Sequence, residues 1–198
     1  MMMGARALRY LVVLLAVCSV SLAAGTSIAQ MLESKSNPAA TSRSLAFGTA
    51  RDVNYAKMLW VRMRRARLVG KHRYSARPTK GEQPHGSIQQ IIAGKISVKG
   101  RRARVLVKAN HRGKDVSKEG VFEDPKRFLT GYAVMAKRER GYDRANADWF
   151  WAVYNPDGSL RKFNGKPIAG RVDTGADNGC IGCHKKYGGK DYEMLTRK

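Results

Sequence analysis

Residues 148–154 constrain this chain more than any other stretch. Trp149, Trp151 and Val153 alternate with Phe150, Ala152 and Tyr154, so an extended segment here carries apolar side chains on both sides. Such a strand has to be central in a sheet or covered on both faces.

The neighbouring segments supply partners for it. From Asp52 onward, Val53, Ala56, Leu59, Trp60, Met63 and Ala66 fall at helical spacing, with Lys57, Arg62, Arg64 and Arg65 left for the other face, which predicts an amphipathic helix. Pro78, Gly81, Pro84 and Gly86 mark residues 75–87 as loop. Residues 88–98, with isoleucines at 88, 91, 92 and 96, read as a strand interrupted by a bulge at Gly94. Residues 103–109 read as its hairpin partner, joined through a turn at Gly100-Arg101-Arg102. Asp124 followed by Pro125 has the pattern of an N-cap and a first helical residue and predicts about two helical turns before Gly131. Residues 132–137 are extended, Asn155-Pro156-Asp157-Gly158 turns the strand at 148–154 into a hairpin with 159–163, and 165–179 is loop. The order of helix, strands, short helix and strands, with two hairpins, describes an α+β chain.

Arg6 and Arg9, an apolar run from Tyr10 to about Ala24, and small residues at Ser27-Ile28-Ala29 form the pattern of a secretory signal peptide. Residues 1–29 are expected to be removed, with Ala24 as the alternative cleavage point, and a retained anchor is the second reading. Cys18 would leave with the leader, because Val17 is bulky where a lipoprotein site wants a small residue. Residues 30–50, rich in Ser, Ala, Asn and Thr, read as a flexible lead-in. Residues 51–198 read as one domain, and the periplasm is the expected location. The net charge of +23 would draw acidic proteins, anionic lipid or polyanions. Nucleic acid is not the expected partner, given export and basic residues scattered over 57–67, 101–104, 137–140 and 185–186. The bulk of that charge reads as solvated surface, with an acidic redox partner the expectation that remains.

Close to the C-terminus stands Gly179-Cys180-Ile181-Gly182-Cys183-His184. Cys-x-x-Cys-His is the attachment pattern of c-type haem: two thiols two residues apart can add to the two vinyl groups of one porphyrin, and the adjacent histidine comes under the iron. A thioredoxin-type redox pair belongs early in its fold, before a long helix, whereas only 14 residues follow His184. A zinc site needs a second ligand pair, and His72, His85 and His111 show no paired spacing. A plain disulfide leaves His184 unexplained. One covalent haem c is therefore expected, held by Cys180 and Cys183, with His184 as axial ligand. Met194 lies cramped as a sixth ligand, so the distal side must come mainly from upstream residues. His85, in a loop, and His111, at a strand end, are candidate proton carriers that read more readily as exposed.

The order Phe122-Glu123-Asp124-Pro125-Lys126-Arg127-Phe128, Gly131-Tyr132-Ala133-Val134-Met135, Asp148-Trp149-Phe150-Trp151, Asp157-Gly158, the Cys180–His184 motif and Asp191-Tyr192 resembles the cytochrome P460 family, whose fold the beta-type cytochromes c-prime share. The resemblance runs from about Asp52 to Leu195. It implies an antiparallel sheet with flanking helices, a homodimer, and a five-coordinate haem with His184 as proximal ligand. It also implies a small nitrogen ligand: oxidation of hydroxylamine or nitric oxide in an enzyme, or capture of nitric oxide without turnover. A simple electron-transfer role is the third reading. Members that oxidise hydroxylamine resemble one another in a lysine joined to the porphyrin, on the strand after a Pro-x-Gly-Ser turn. Here that turn is Pro84-His85-Gly86-Ser87, Ile91 stands where the lysine is expected, and Lys95 lies on the same face about 13 Å further along. Lys95 is the cross-link candidate, although it also reads as an ordinary solvent-facing lysine. Ile91, Phe122, Phe128, Tyr132 and Met135 are candidates for the distal pocket, the last four also explicable as core.

Overall fold

The computed structural model describes residues 47–173, 179–188 and 191–192, all within the unit Ser44–Lys198. The expected leader, Cys18, most of the lead-in and Met194 lie outside the described residues. Among the described residues no helix is long and apolar enough to cross a membrane.

Helix α1 spans Ala50–Arg65. The Thr49 hydroxyl accepts from the Asp52 amide at 3.2 Å while the Asp52 carboxylate accepts from the Thr49 amide at 3.2 Å, a reciprocal cap that satisfies donors a helix start otherwise leaves unpaired. Arg62, Arg64 and Arg65 close the last turn, where positive charge complements the helix dipole. Tyr55, Ala56, Leu59, Trp60 and Met63 form the buried stripe that the helical spacing predicts.

The stripe packs on one face of a six-stranded antiparallel sheet made of β1 (Thr79–Lys80), β2 (Ile88–Val98), β3 (Arg101–His111), β4 (Leu129–Lys137), β5 (Trp149–Tyr154) and β8 (Ala169–Gly170), in the order β1-β2-β3-β4-β5-β8. A separate hairpin pairs β6 (Lys162–Phe163) with β7 (Lys166–Pro167). Helix α2 covers Lys118–Glu123 and α3 covers Gly179–Tyr187. The fold is thus mainly antiparallel sheet with a few helices, in the α+β class that the sequence indicates.

Strand β5 meets the condition its sequence imposes. Phe150, Ala152 and Tyr154 face α1 in one apolar cluster, together with Ile92, Ile96, Val105, Val107 and Val134. Trp149 and Trp151 face the other way, in a second cluster with Phe47, Leu106, Met135, Val172, Ile181 and Tyr192. The Tyr154 hydroxyl donates to the Ala56 carbonyl at 2.9 Å, pinning sheet to helix.

Several expectations change in detail. Gly94 carries no bulge: the β2–β3 register runs unbroken from Ile88↔His111 to Val98↔Arg101. Its missing side chain leaves room for Leu68, whose Cδ1 would lie 3.1 Å from a Cβ there. The register shift falls instead between Asn110 and His111, on the β4 side. The hairpin turn is Lys99-Gly100, both with positive φ, the two-residue type I′ geometry that matches strand twist; Arg101 and Arg102 already belong to β3. The short helix lies before Asp124, not after it. Ser117 is its N-cap and Asp124 its C-cap residue, while the Asp124 carboxylate accepts from the Lys126 and Arg127 amides and so shapes a turn. The hairpin expected over 148–163 reduces to one bridge, Tyr154↔Leu160. The stretch 165–179, expected to be loop, contributes β7 and β8.

Candidate functional site

The sheet face turned away from α1 bears a cavity of about 410 Å³, within the size range of ligand and cofactor sites. Leu106, Met135, Trp151, Ile168 and Val172 supply much of its apolar wall; Cys180, Cys183 and His184 enter from α3, and Lys108 from β3. Both thiols are free. Helix α3 is held at the sheet by its first turn, where the Ile181 amide donates to the Val172 carbonyl at 3.0 Å.

His184 is buried and oriented by backbone. Its Nδ1 lies 2.7 Å from the Tyr192 carbonyl oxygen, and because a carbonyl can only accept, the proton is on Nδ1 and Nε2 is left with its lone pair. The Trp151 ring packs against it at 4.7 Å. The Asp191-Tyr192 segment that provides the carbonyl is itself anchored: the Trp149 indole donates to the Asp191 carbonyl at 3.0 Å, Lys137 pairs with the Asp191 carboxylate at 2.8 Å, and the Tyr192 hydroxyl donates to the Ala145 carbonyl at 3.3 Å. Burial holds His184 down to about 4, opposed by the Tyr192 hydrogen bond, with Lys108 adding to the depression. Burial pushes the Cys180 thiol up to about 12, with Cys183 reinforcing it.

Opposite α3, His85 reaches the same cavity from the loop before β2, with its ring centre 6.0 Å from that of His184. It is only half-buried in solvent terms, yet desolvation followed by the positive charge of Lys108 depresses it to about 3. Lys108 is 7% exposed, and burial lowers its affinity for a proton despite the opposing pull of Cys183 and Glu82.

The expected distal residues divide. Met135 lines the cavity. Ile91 and Lys95 lie outside the lining: Ile91 pairs directly with Lys108, and Lys95 is exposed opposite Arg104. Phe122 is 66% exposed on α2. Phe128 packs over Gly113 and Gly120 beneath the Arg127 guanidinium. Tyr132 is buried on the α1 side, where its ring meets Trp60 at 5.6 Å and its hydroxyl accepts from the Gly70 amide. His111, read as exposed, is fully buried on that same side, and its Nε2 donates to Gln90 Oε1 at 3.1 Å. Sequence reasoning missed Lys108, and it read His85, a candidate proton carrier, more readily as exposed. Their signals were faint: a lysine in phase with Leu106, and a histidine in a turn.

The sequence model of Cytochrome P460 matches residues 71–193. This chain belongs to the cytochrome P460 family. It is accordingly a haem-binding cytochrome. No curated protein and no solved structure gives a significant match.

The cavity of this cytochrome P460 chain suits such a cofactor. Its wall is largely apolar, yet the buried Trp151 Nε1 and Asn110 Oδ1 that belong to it have no hydrogen-bond partner among the described residues. Buried polar atoms left in that condition are costly and point to a group that completes them. His184 offers an unprotonated nitrogen and the two thiols stand one helical turn apart, a donor set suited to a porphyrin and its iron.

Proposed function

We propose that the protein is an exported cytochrome carrying one covalent haem c, attached through Cys180 and Cys183, with His184 Nε2 as axial ligand, and that it acts on small nitrogen species such as hydroxylamine or nitric oxide. The observation that carries this reading is the entry of both thiols and the lone-pair nitrogen of His184 from one helix into one apolar cavity. A bound haem would supply an iron at which a small molecule could be held and oxidised.

The chain's own residues divide the remaining work. Tyr192 fixes the His184 tautomer and orientation, as hydrogen-bond acceptors behind metal-bound histidines generally do. Leu106, Met135 and Trp151 exclude water. Lys108 takes the place that the sequence assigns to Lys95: it is the lysine in the cavity wall. Joined to the porphyrin, it would place the protein among the hydroxylamine oxidisers. As a free ammonium it favours reversible nitric oxide capture. The basic composition, with a net charge of +23, supports an acidic redox partner.

The purified full-length holoprotein tests this reading. Pyridine haemochrome spectra and intact mass should show one thioether-bound haem, lost when Cys180 and Cys183 are both replaced by serine. A strongly red-shifted ferrous Soret band that disappears in Lys108→Met assigns the enzyme; an unshifted band that responds to nitric oxide assigns the binder. A chain that carries no covalent haem overturns the reading.

A further inference from the structure

A second cavity, of about 380 Å³, opens beside Tyr132 on the sheet face that α1 covers, and it shares no lining residue with the cavity of Cys180, Cys183 and His184. Its polar side chains are Lys71, Arg73, Ser75, Lys126 and Tyr132, and no carboxylate lines it. The carboxylates next in sequence to its wall are engaged elsewhere. Asp124 accepts from the Lys126 and Arg127 amides, and Asp157 accepts from the Ser159 amide and hydroxyl. Among the described residues, neither Lys71, Arg73 nor Lys126 forms an ion pair.

Two of the donors are held in place by the fold. The Arg73 guanidinium donates to the Tyr74 carbonyl at 3.2 Å and to Gln90 Oε1. Gln90 is fully buried and is itself fixed by its Nε2, which donates to the Ala76 carbonyl at 2.6 Å. A guanidinium carries five N–H donors, so donors remain for the cavity. Burial works against the Arg73 charge, with Tyr132 opposing. Tyr132 is 1% exposed; its hydroxyl accepts from the Gly70 amide at 3.2 Å, and its own proton has no acceptor among the described residues. A buried donor without an acceptor is costly. Water would meet the need of the hydroxyl, but it would leave three like charges facing one space without a counter-ion.

We propose that this cavity is a binding site for a phosphate group, either the free ion or the head of a monoester. A phosphate dianion offers only acceptors, which matches a wall whose charged side chains only donate, and the planar fork of arginine suits its paired oxygens. The volume leaves room beside the ion for a substituent against Pro125, Leu129 and Pro156. The site is independent of haem, so its failure would leave the proposed function standing.

Calorimetric titration of the purified protein with inorganic phosphate and with phenyl phosphate, at constant ionic strength in sodium chloride, provides the test. One saturable site per chain is expected. Lys71→Gln with Lys126→Gln should weaken it by about tenfold or more; both lysines are exposed, so the variant should fold. Lys57→Gln with Lys166→Gln removes the same charge at exposed positions outside the cavity and should leave the affinity unchanged. Tyr132→Phe removes a donor without altering charge and should also weaken binding. Tighter binding of phenyl phosphate assigns the site to a monoester, and equal binding assigns it to the free ion. Absence of saturable binding overturns the proposal. Equal losses in the two double variants also overturn it, because the net charge of the protein would then be attracting the anion.

Discussion

Ile91 and Lys108 sit directly across the β2–β3 ladder from each other, and Lys108 is the member of the pair that lines the cavity. Cross-strand partners share a sheet face with their Cβ atoms about 5 Å apart, so a lysine on β3 can serve a position that β2 leaves apolar. The Lys108 ammonium in this setting opposes folding, since the penalty of burying the charge outweighs the opposing pull of Cys183 and Glu82. Lys108→Met should therefore stabilise the haem-free chain, by about 1–3 kcal/mol. Urea unfolding of the apoprotein checks this, and a loss of stability would show that the ammonium has a partner in the fold. Lys95→Ala, at an exposed position, should change stability by no more than about 0.5 kcal/mol.

The two faces of the sheet should respond separately to mutation. Leu59 is fully buried between α1 and the sheet, and Leu59→Ala should cost about 2–5 kcal/mol. The cavity proposed to hold the haem lies on the opposite face, so the visible spectrum of the folded variant should match the wild type. A shifted Soret band would show that the two clusters are coupled through the sheet.

Acid should weaken the fold through His111. Burial, aided by the positive Arg73, holds this imidazole at about 4, below its ordinary value of 6.5. The unfolded chain therefore binds a proton that the folded chain refuses. The full contribution is present above about pH 6.5 and is lost as pH falls toward 4, by at most about 3 kcal/mol. His111→Gln should flatten that part of the profile of denaturation midpoint against pH. An unchanged slope would assign the acid sensitivity to other groups.

Gly86→Ala combines an unfavourable φ of 91° with a Cβ 2.7 Å from a backbone oxygen. The loop must shift, at a cost of about 1–3 kcal/mol, and His85 must move with it. Thermal unfolding reads the first effect, and the visible spectrum of the holoprotein reads the second, because His85 lines the cavity. A variant as stable as the wild type would mean that the turn is looser than its contacts indicate.

Much of the architecture was legible because alternation and helical spacing are local. The stripe of α1, the full length of β2 and the two apolar faces of β5 follow from side-chain period alone. The placement of α2 failed because Asp124 does cap amides, but those of a turn, while the Ser117 cap seven residues earlier went unread. The Cys-x-x-Cys-His motif was plain from its spacing. The walls around it were not, because they depend on which strands become neighbours. Phe122, Phe128 and Tyr132 have the right chemistry for a pocket, but α2, the 113–120 corner and the α1 side of the sheet receive them. Lys108 became a cavity residue only through its position between β2 and β4 in the middle of the sheet. His85, in a turn that sequence marks as surface, was drawn inward by the Arg112 guanidinium, which donates to Gln83 Oε1 and to the Pro84 carbonyl.

The acceptor that sets the His184 proton is a main-chain oxygen, carried by Tyr192 at φ 61°. A peptide carbonyl draws less strongly on an N–H than a carboxylate would, so the imidazole keeps little anionic character and donates less electron density to a metal bound at Nε2. It follows that evolution cannot retune this contact by exchanging one side chain for another. Substitutions along the tail can only bring the carbonyl closer or move it away, which would make the reduction potential of the proposed centre a matter of backbone position, adjustable by degrees and resistant to any single abrupt change of chemistry.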